Sequence, residues 1–197
     1  MKKTLILASA SPRRAGLLSQ MGLTFECLPV DIDETPGTGE PAADYVIRLA
    51  KAKAAAGYRR AARPGVLVLG SDTSVVLDGE ILGKPATVDE ARQTLQRLSG
   101  RSHQVMTAVA LATADGVTSE LSITDVTFRA LGSSEIDAYC RTGEPMDKAG
   151  SYGIQGRGGI FVTAIRGNYS AVVGLPLDIT ACMLAAAGLE VWADWPS

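Results

Sequence analysis

The chain has 197 residues and a net charge of −2; 46% of its residues are hydrophobic and 20% are charged. That is an ordinary globular balance, and it argues against a broad nucleic-acid-binding face. No stretch approaches the roughly 20 apolar residues of a membrane span, and the N-terminal apolar run stops short of the roughly 7–15 residues of a signal peptide.

Residues 5–8, LILA, read as a short buried strand. Ser9-Ala10-Ser11-Pro12 then turns into a helix predicted from Pro12 to about Met21. The Ser11 hydroxyl can cap its first turn, and Pro12 suits the first helical position, where no N–H is needed. Arg13 and Arg14 follow at the positive end of the helix dipole, where a cation is disfavoured by about 0.3–1 kcal/mol. Either the arginines bend outward into water or an anion sits there too. Free N–H groups at a helix N-terminus bind phosphate, and guanidinium forks add charge and bidentate geometry.

TFECLPV (24–30) reads as a strand and DIDETPGTGEPA (31–42) as a polar loop. A helix is predicted over 43–63, with Val46, Leu49, Ala50 and Ala54 on its apolar face. Residues 66–82, VLVLGSDTSVVLDGEIL, read as an apolar strand, a polar interruption, and a hairpin turning at Asp78-Gly79. A helix over 88–100, VDEARQTLQRLSG, ends at Gly100. A longer hairpin over 103–131 turns around Asp115-Gly116, and a short helix follows, capped by Ser133 or Ser134. The Gly-rich stretch 151–173 reads as loop and strand, and Pro176 opens a last helix. No linker divides the chain, so residues 1–197 form one α/β domain with a mixed sheet and two lobes around a cleft.

Several polar residues stand out against this pattern. Lys53 falls on the apolar face of its helix, where a lysine either snorkels to water or meets a buried partner. Asp72 interrupts an apolar strand, where a carboxylate is costly unless it is paired or bound to metal, or unless Gly70 marks a bulge at the strand end. Lys84 lies between Gly83 and Pro85, and Glu34 ends an acidic loop cluster; a solvated turn and a solvated loop are their ordinary readings. Together, Arg13, Arg14, Lys53 and Lys84 suit phosphates. Glu34 and Asp72 suit Mg²⁺, which takes one or two carboxylates plus phosphate oxygens. These are the parts for metal-assisted attack on a nucleotide phosphate.

Other chemistries fit poorly. Residues 81–87 contain Gly-Lys-Pro but lack the leading glycine of a P-loop. SYGIQGRGG has the wrong spacing for a dinucleotide fingerprint. His103 is the one histidine, which argues against His-rich metal sites and a Ser-His-Asp triad and leaves His103 a structural place in a strand. Cys27, Cys140 and Cys182 fit neither a disulfide framework nor a zinc spacing. They suit a cytoplasmic protein with reduced, mostly buried thiols.

LASASPRR, DIDE, RLAKAKA, LGSDTSVV, LGKP, HQVMTAV and DKAGSYGIQG, in this order, resemble the Maf family of nucleoside triphosphate pyrophosphatases, from about Leu5 to the last helix. The resemblance implies a central mixed sheet flanked by helices and a nucleotide cleft, related to the inosine triphosphate pyrophosphatases. It implies a nucleoside triphosphate substrate cleaved between its α- and β-phosphates with a divalent cation (Mg²⁺ or Mn²⁺), and a homodimer. Asp72 matches the family's catalytic proton acceptor. Ser9, Arg13, Arg14, Glu34, Lys53 and Lys84 match its phosphate and metal contacts, with Glu34 and Asp72 holding the metal. Asp72-Thr73 and Ile154-Gln155-Gly156 resemble the dTTP/UTP branch rather than the 7-methyl-GTP branch. A glutamine amide offers the donor and acceptor that a uracil or thymine edge requires, so Thr73 and Gln155 are expected at the base. Arg157 departs from the more apolar residue expected between the glycines. Two alternatives carry weight: a pyrophosphatase for modified nucleotides, and a nucleotide-binding regulator of septum formation acting through a protein partner.

Overall fold

The computed structural model describes residues 3–195. Seven strands form one mixed sheet. β1 (Thr4–Leu7) lies between β2 (Phe25–Cys27) and β3 (Val66–Leu77), parallel to both. β3 pairs antiparallel with β5 (Ser102–Thr113), β5 with β6 (Gly116–Phe128), and β6 with β7 (Val162–Arg166). β4 (Glu80–Leu82) returns on β3 through Asp78 and Gly79, both at positive φ, as a two-residue hairpin turn requires.

The strand alternation sorts side chains onto two faces. Leu5, Leu7, Leu67 and Leu69 meet α1 (Pro12–Gln20) and α6 (Leu177–Ala186) on one side. Ile6, Ala8, Val66 and Val68 meet α2 (Ala42–Ala61) on the other. The α2 face is built from small residues, Ala50, Ala54 and Gly57 among them. A Cβ added at Gly57 would lie 2.8 Å from Val68 Cγ1, so this helix rides close to the sheet. A third cluster gathers α3 (Val88–Leu98) and α4 (Ser133–Arg141) over the far ends of β3, β5 and β6.

β3 is continuous where an interruption was expected. Ser71 and Asp72 stay in register with Val109 and Ala108, with no bulge. The polar side chains are tolerated because they are bonded. The single Ser71 hydroxyl proton is shared between the Ala108 and Gly174 carbonyls, 2.9 and 3.0 Å from Oγ, and Thr107 Oγ1 donates to Ala171 O at 2.7 Å. β1 pairs only with the start of β3 and β4 only with its end, so residues 70–74 have strand partners on one edge alone. That gap lies beyond the carboxyl end of β1, where open α/β sheets bind ligands.

Other expectations change in detail. β2 has three residues rather than seven. The α4 N-cap is Gly132, not Ser133 or Ser134, and the Glu135 side chain accepts from its N–H at 2.7 Å. A short helix, α5 (Tyr169–Val173), lies inside the stretch read as loop and strand; Asn168 Oδ1 caps it by accepting from Ala171 N–H at 3.0 Å. Cys27 and Cys182 are exposed, and only Cys140 is buried. No helix among the described residues is long and apolar enough to cross a membrane.

His103 is structural, as its strand position suggested. It is 3% exposed, packs edge-on against Phe128 and Tyr152, and shares a 2.8 Å hydrogen bond between Nε2 and the Tyr152 hydroxyl. Its Nδ1 has no partner, so the charged ring, which needs two acceptors, is disfavoured. Burial pushes its pKa down to about 4, against about 6.5 in an unfolded chain. Between those values the unfolded chain binds a proton that the fold refuses. Stability therefore declines as pH falls from about 6.5 towards about 4, by up to about 3 kcal/mol. Urea unfolding across this range measures that slope, and His103→Gln is expected to flatten it.

Candidate active site

A cleft of about 420 Å³ opens at the one-sided stretch of β3. Its floor is Asp72, Thr73 and Ser74; α1 and the loop carrying Glu34 form one wall, and residues 147–156 form another.

The central contact depends on a glycine. A Cβ at Gly70 would lie 2.4 Å from Ala50 O and 2.5 Å from Ala54 N, so only glycine lets α2 pack backbone to backbone on β3. The approach carries Lys53 over the strand, where its Nζ lies 2.7 Å from Asp72 Oδ1 and 2.7 Å from Glu34 Oε1. Lys53 does not snorkel; it bridges two carboxylates. Asp72 is 8% exposed. Burial raises its pKa above the ordinary aspartate value, against the opposing pull of Lys53 and Arg14. Glu34 remains half exposed. Its loop is tied down by Tyr45, whose hydroxyl donates to Glu34 O at 2.9 Å, and by Arg48, which grips Glu40 and the Thr35 carbonyl.

The two arginines diverge. Ser11 caps α1, its Oγ accepting from Arg14 N–H at 3.5 Å. Arg14 turns inward: Nε donates to Gly174 O at 2.9 Å, Nη2 to Thr73 Oγ1 at 3.3 Å, and Nη1 to Ser9 Oγ at 3.4 Å. Burial lowers its pKa from the usual arginine value, with Asp72 opposing. Arg13 points across the mouth, its Nη1 3.6 Å from Asp147 Oδ2. Ser9 does not line the cleft; it sits behind, accepting from Arg14 and from Ser11 N–H. Lys84 and Gln155 are both exposed and both line the cleft.

The structure therefore brings Arg13, Arg14, Glu34, Lys53, Asp72, Thr73, Lys84 and Gln155 to one cavity. Tyr45, Asp147, Lys148 and Tyr152 line it as well, and sequence reasoning had not singled them out. Asp147, Lys148 and Tyr152 lie inside the DKAGSYGIQG segment, the one signal that could have pointed to them. Arg157, the departure from the family pattern, is exposed, and its backbone N–H donates to Glu144 Oε2 at 3.0 Å, so the turn accommodates it.

Fold and cleft together define an α/β protein in which arginines at the start of one helix, with lysines outside the helices, line a cleft around a lysine-bridged carboxylate pair at a sheet switch point. The chain belongs to the Maf-like protein family, whose model matches residues 4–187. A dTTP/UTP pyrophosphatase of Pseudoalteromonas atlantica is 56% identical over 187 residues, covering 94% of this chain and 97% of that one. A dTTP/UTP pyrophosphatase of Escherichia coli O157:H7 is 53% identical over 182 residues, covering 92% of each. Among solved structures, a HAM1 protein from Coxiella burnetii aligns with 64% of this chain and 73% of its own, at a TM-score of 0.45 and 21% identity.

Gly70→Ala tests the packing that holds the centre. The added methyl must push α2 off β3, so we expect a loss of about 1–3 kcal/mol, the usual cost of overpacking a core. Thermal unfolding measures it; an unchanged Tm would mean that α2 yields freely.

Proposed function

We propose that the protein is a nucleoside triphosphate pyrophosphatase acting on dTTP and UTP and releasing the monophosphate and pyrophosphate. The observation that carries this reading is the Glu34–Lys53–Asp72 bridge, at 2.7 Å on each side, facing the α1 N-terminus and its arginines. The dTTP/UTP pyrophosphatases at 53–56% identity support it.

The chemistry follows from where the charges sit. The free N–H groups at the start of α1, with Arg13, suit the phosphate chain. Lys53 and Lys84 offset charge that develops on the phosphoryl oxygens. Asp72 accepts a proton from a water whose oxygen bonds to the α-phosphorus. The bond from that phosphorus to the bridging oxygen breaks, and pyrophosphate leaves with the electron pair. Burial favours this role, because it makes Asp72 a stronger base than an exposed aspartate. Arg14 and Ser9 act on the same site as a strut, with Arg14 donors left over for phosphate oxygens.

A divalent cation, Mg²⁺ or Mn²⁺, fits the donor set. Glu34 and Asp72 already converge on one cation, the Lys53 ammonium, and two carboxylates plus substrate oxygens are what Mg²⁺ takes. No cluster of three or more His, Cys, Asp or Glu side chains forms a complete cage among the described residues, so substrate oxygens would complete the shell. When bound, the cation would neutralise phosphate charge and orient the triphosphate. We further propose a homodimer in the cytoplasm, in keeping with the family resemblance and the three free thiols; light scattering of purified protein reads the assembly.

Pyrophosphate release from a panel of nucleoside triphosphates, with and without chelator, tests the reading directly. Asp72→Asn keeps the shape and removes the base, so kcat is expected to fall by about 10²–10⁴ while the protein stays folded by circular dichroism. Turnover near wild type would remove Asp72 from the chemistry. An inactive wild type that still binds nucleotide would favour the septum-regulator reading.

We assign base choice to Gln155 and Thr73, which both line the cleft. Gln155→Glu sets an acceptor against a pyrimidine carbonyl, and an unpaired polar group costs about 1–3 kcal/mol. The expected result is a loss of roughly 5- to 150-fold in kcat/KM for dTTP and UTP, with a smaller change for CTP. An equal loss on every nucleotide would take base reading away from Gln155.

A further inference from the structure

Gln155 stands on a turn that has no strand to support it. Gly156 N–H donates to Gly153 O at 3.1 Å, which puts Ile154 and Gln155 at the two corners. Something outside the turn must decide where the glutamine points.

That support comes from behind. Glu144 opens a one-turn 3-10 helix, Glu144–Asp147, and does not line the cleft. Its Oε1 accepts from Gly158 N–H at 3.1 Å and from the Tyr139 hydroxyl at 2.9 Å. Its Oε2 accepts from Arg157 N–H at 3.0 Å. The Tyr139 oxygen in turn accepts from Gly153 N–H at 3.1 Å. One carboxylate, with one phenol as relay, thus grips the turn at both ends. The fit is close: a Cβ at Gly156 would lie 2.4 Å from Glu144 Oε1. Burial alone would favour the protonated acid, yet the donors hold the carboxyl below its ordinary pKa, so the grip is that of an anion, whose hydrogen bonds are the strong ones.

We propose that Glu144 is a positioning residue for base selection, which clamps the Gly153–Gly158 turn so that Gln155 faces the base. The inference rests on the reading that Gln155 contacts the base. Glu144 does not line the cleft, and its carboxylate bonds none of Arg13, Arg14, Lys53 and Lys84. Its one bond to a cleft cation, from Lys148 Nζ at 2.9 Å, is made by its backbone carbonyl, so changing the side chain leaves the phosphate end of the site in place. A brace needed only for folding would instead lower stability and turnover together, whatever the base.

The test uses Glu144→Gln, which keeps the shape but turns an amide donor towards an N–H donor. kcat/KM is measured for dTTP, UTP and CTP, together with competitive inhibition by inorganic tripolyphosphate, which has no base. We expect roughly tenfold or greater loss for dTTP and UTP, carried mainly by KM, less loss for CTP, and an unchanged tripolyphosphate constant. In a Gln155→Ala background the same substitution should no longer change the dTTP-to-CTP ratio. If Gln155→Ala reduces selectivity but Glu144→Gln weakens all ligands equally, or none, the role of Glu144 is overturned and that of Gln155 stands. If Gln155→Ala leaves selectivity unchanged, both fall. Tyr139→Phe removes only the relay to Gly153 and should shift selectivity the same way by less. It decides the matter should Glu144→Gln not fold.

Discussion

The approach of α2 to β3 at Gly70 is the constraint on which the site depends. Helix and strand meet there with no side chain between them, and the contact delivers Lys53 to Asp72. An unpaired carboxylate in the middle of a buried strand would cost several kcal/mol. The ammonium at 2.7 Å, with Arg14 beyond it, offsets that penalty. The balance is incomplete, since Asp72 still titrates above an ordinary aspartate. Residual desolvation of this kind is what makes a carboxylate a useful base. The same small-residue packing that stabilises the sheet therefore also sets the electrostatics of the cleft.

The paired arginines show one sequence feature divided between two tasks. Arg14 ties α1 to β3 and to Gly174, which caps the C-terminus of α5. A cation placed unfavourably at one helix start thus gains the carbonyl at another helix end. Arg13 is left at the mouth, free to exchange an exposed carboxylate for a ligand anion. Exposed ion pairs of that sort hold weakly, so the Asp147 contact is no barrier to entry.

The two walls of the cleft are made differently. The side that carries Arg13, Arg14, Lys53 and Asp72 rests on regular elements, α1, α2 and β3, whose shape is held by their own backbone ladders. The side that carries Gln155 is a glycine-rich turn that relies on side chains for its shape, with Glu144 and Tyr139 filling the space that side chains on the turn would occupy. Sites on regular elements hold geometry by themselves, whereas a turn must be held by what packs behind it.

Much of this was legible in the residue order. The period-3.6 pattern of Val46, Leu49, Ala50 and Ala54 marked α2, turn glycines marked the hairpins, and ordered motifs from Ser9 to Gln155 marked the family. Oddities of type, such as Lys53 on an apolar face and Asp72 in an apolar strand, marked the centre of the site. Periodicity and propensity are local, so these features needed no third dimension. The sequence could not say that β3 runs unbroken through Asp72, because the bonds that satisfy Ser71 and Thr107 come from Gly174 and Ala171, far along the chain. Nor could it separate Arg13 from Arg14, or show that Ser9 braces from behind, or find Glu144. Those assignments depend on which distant backbone groups arrive within hydrogen-bond reach, and only the packing of helix on sheet decides that.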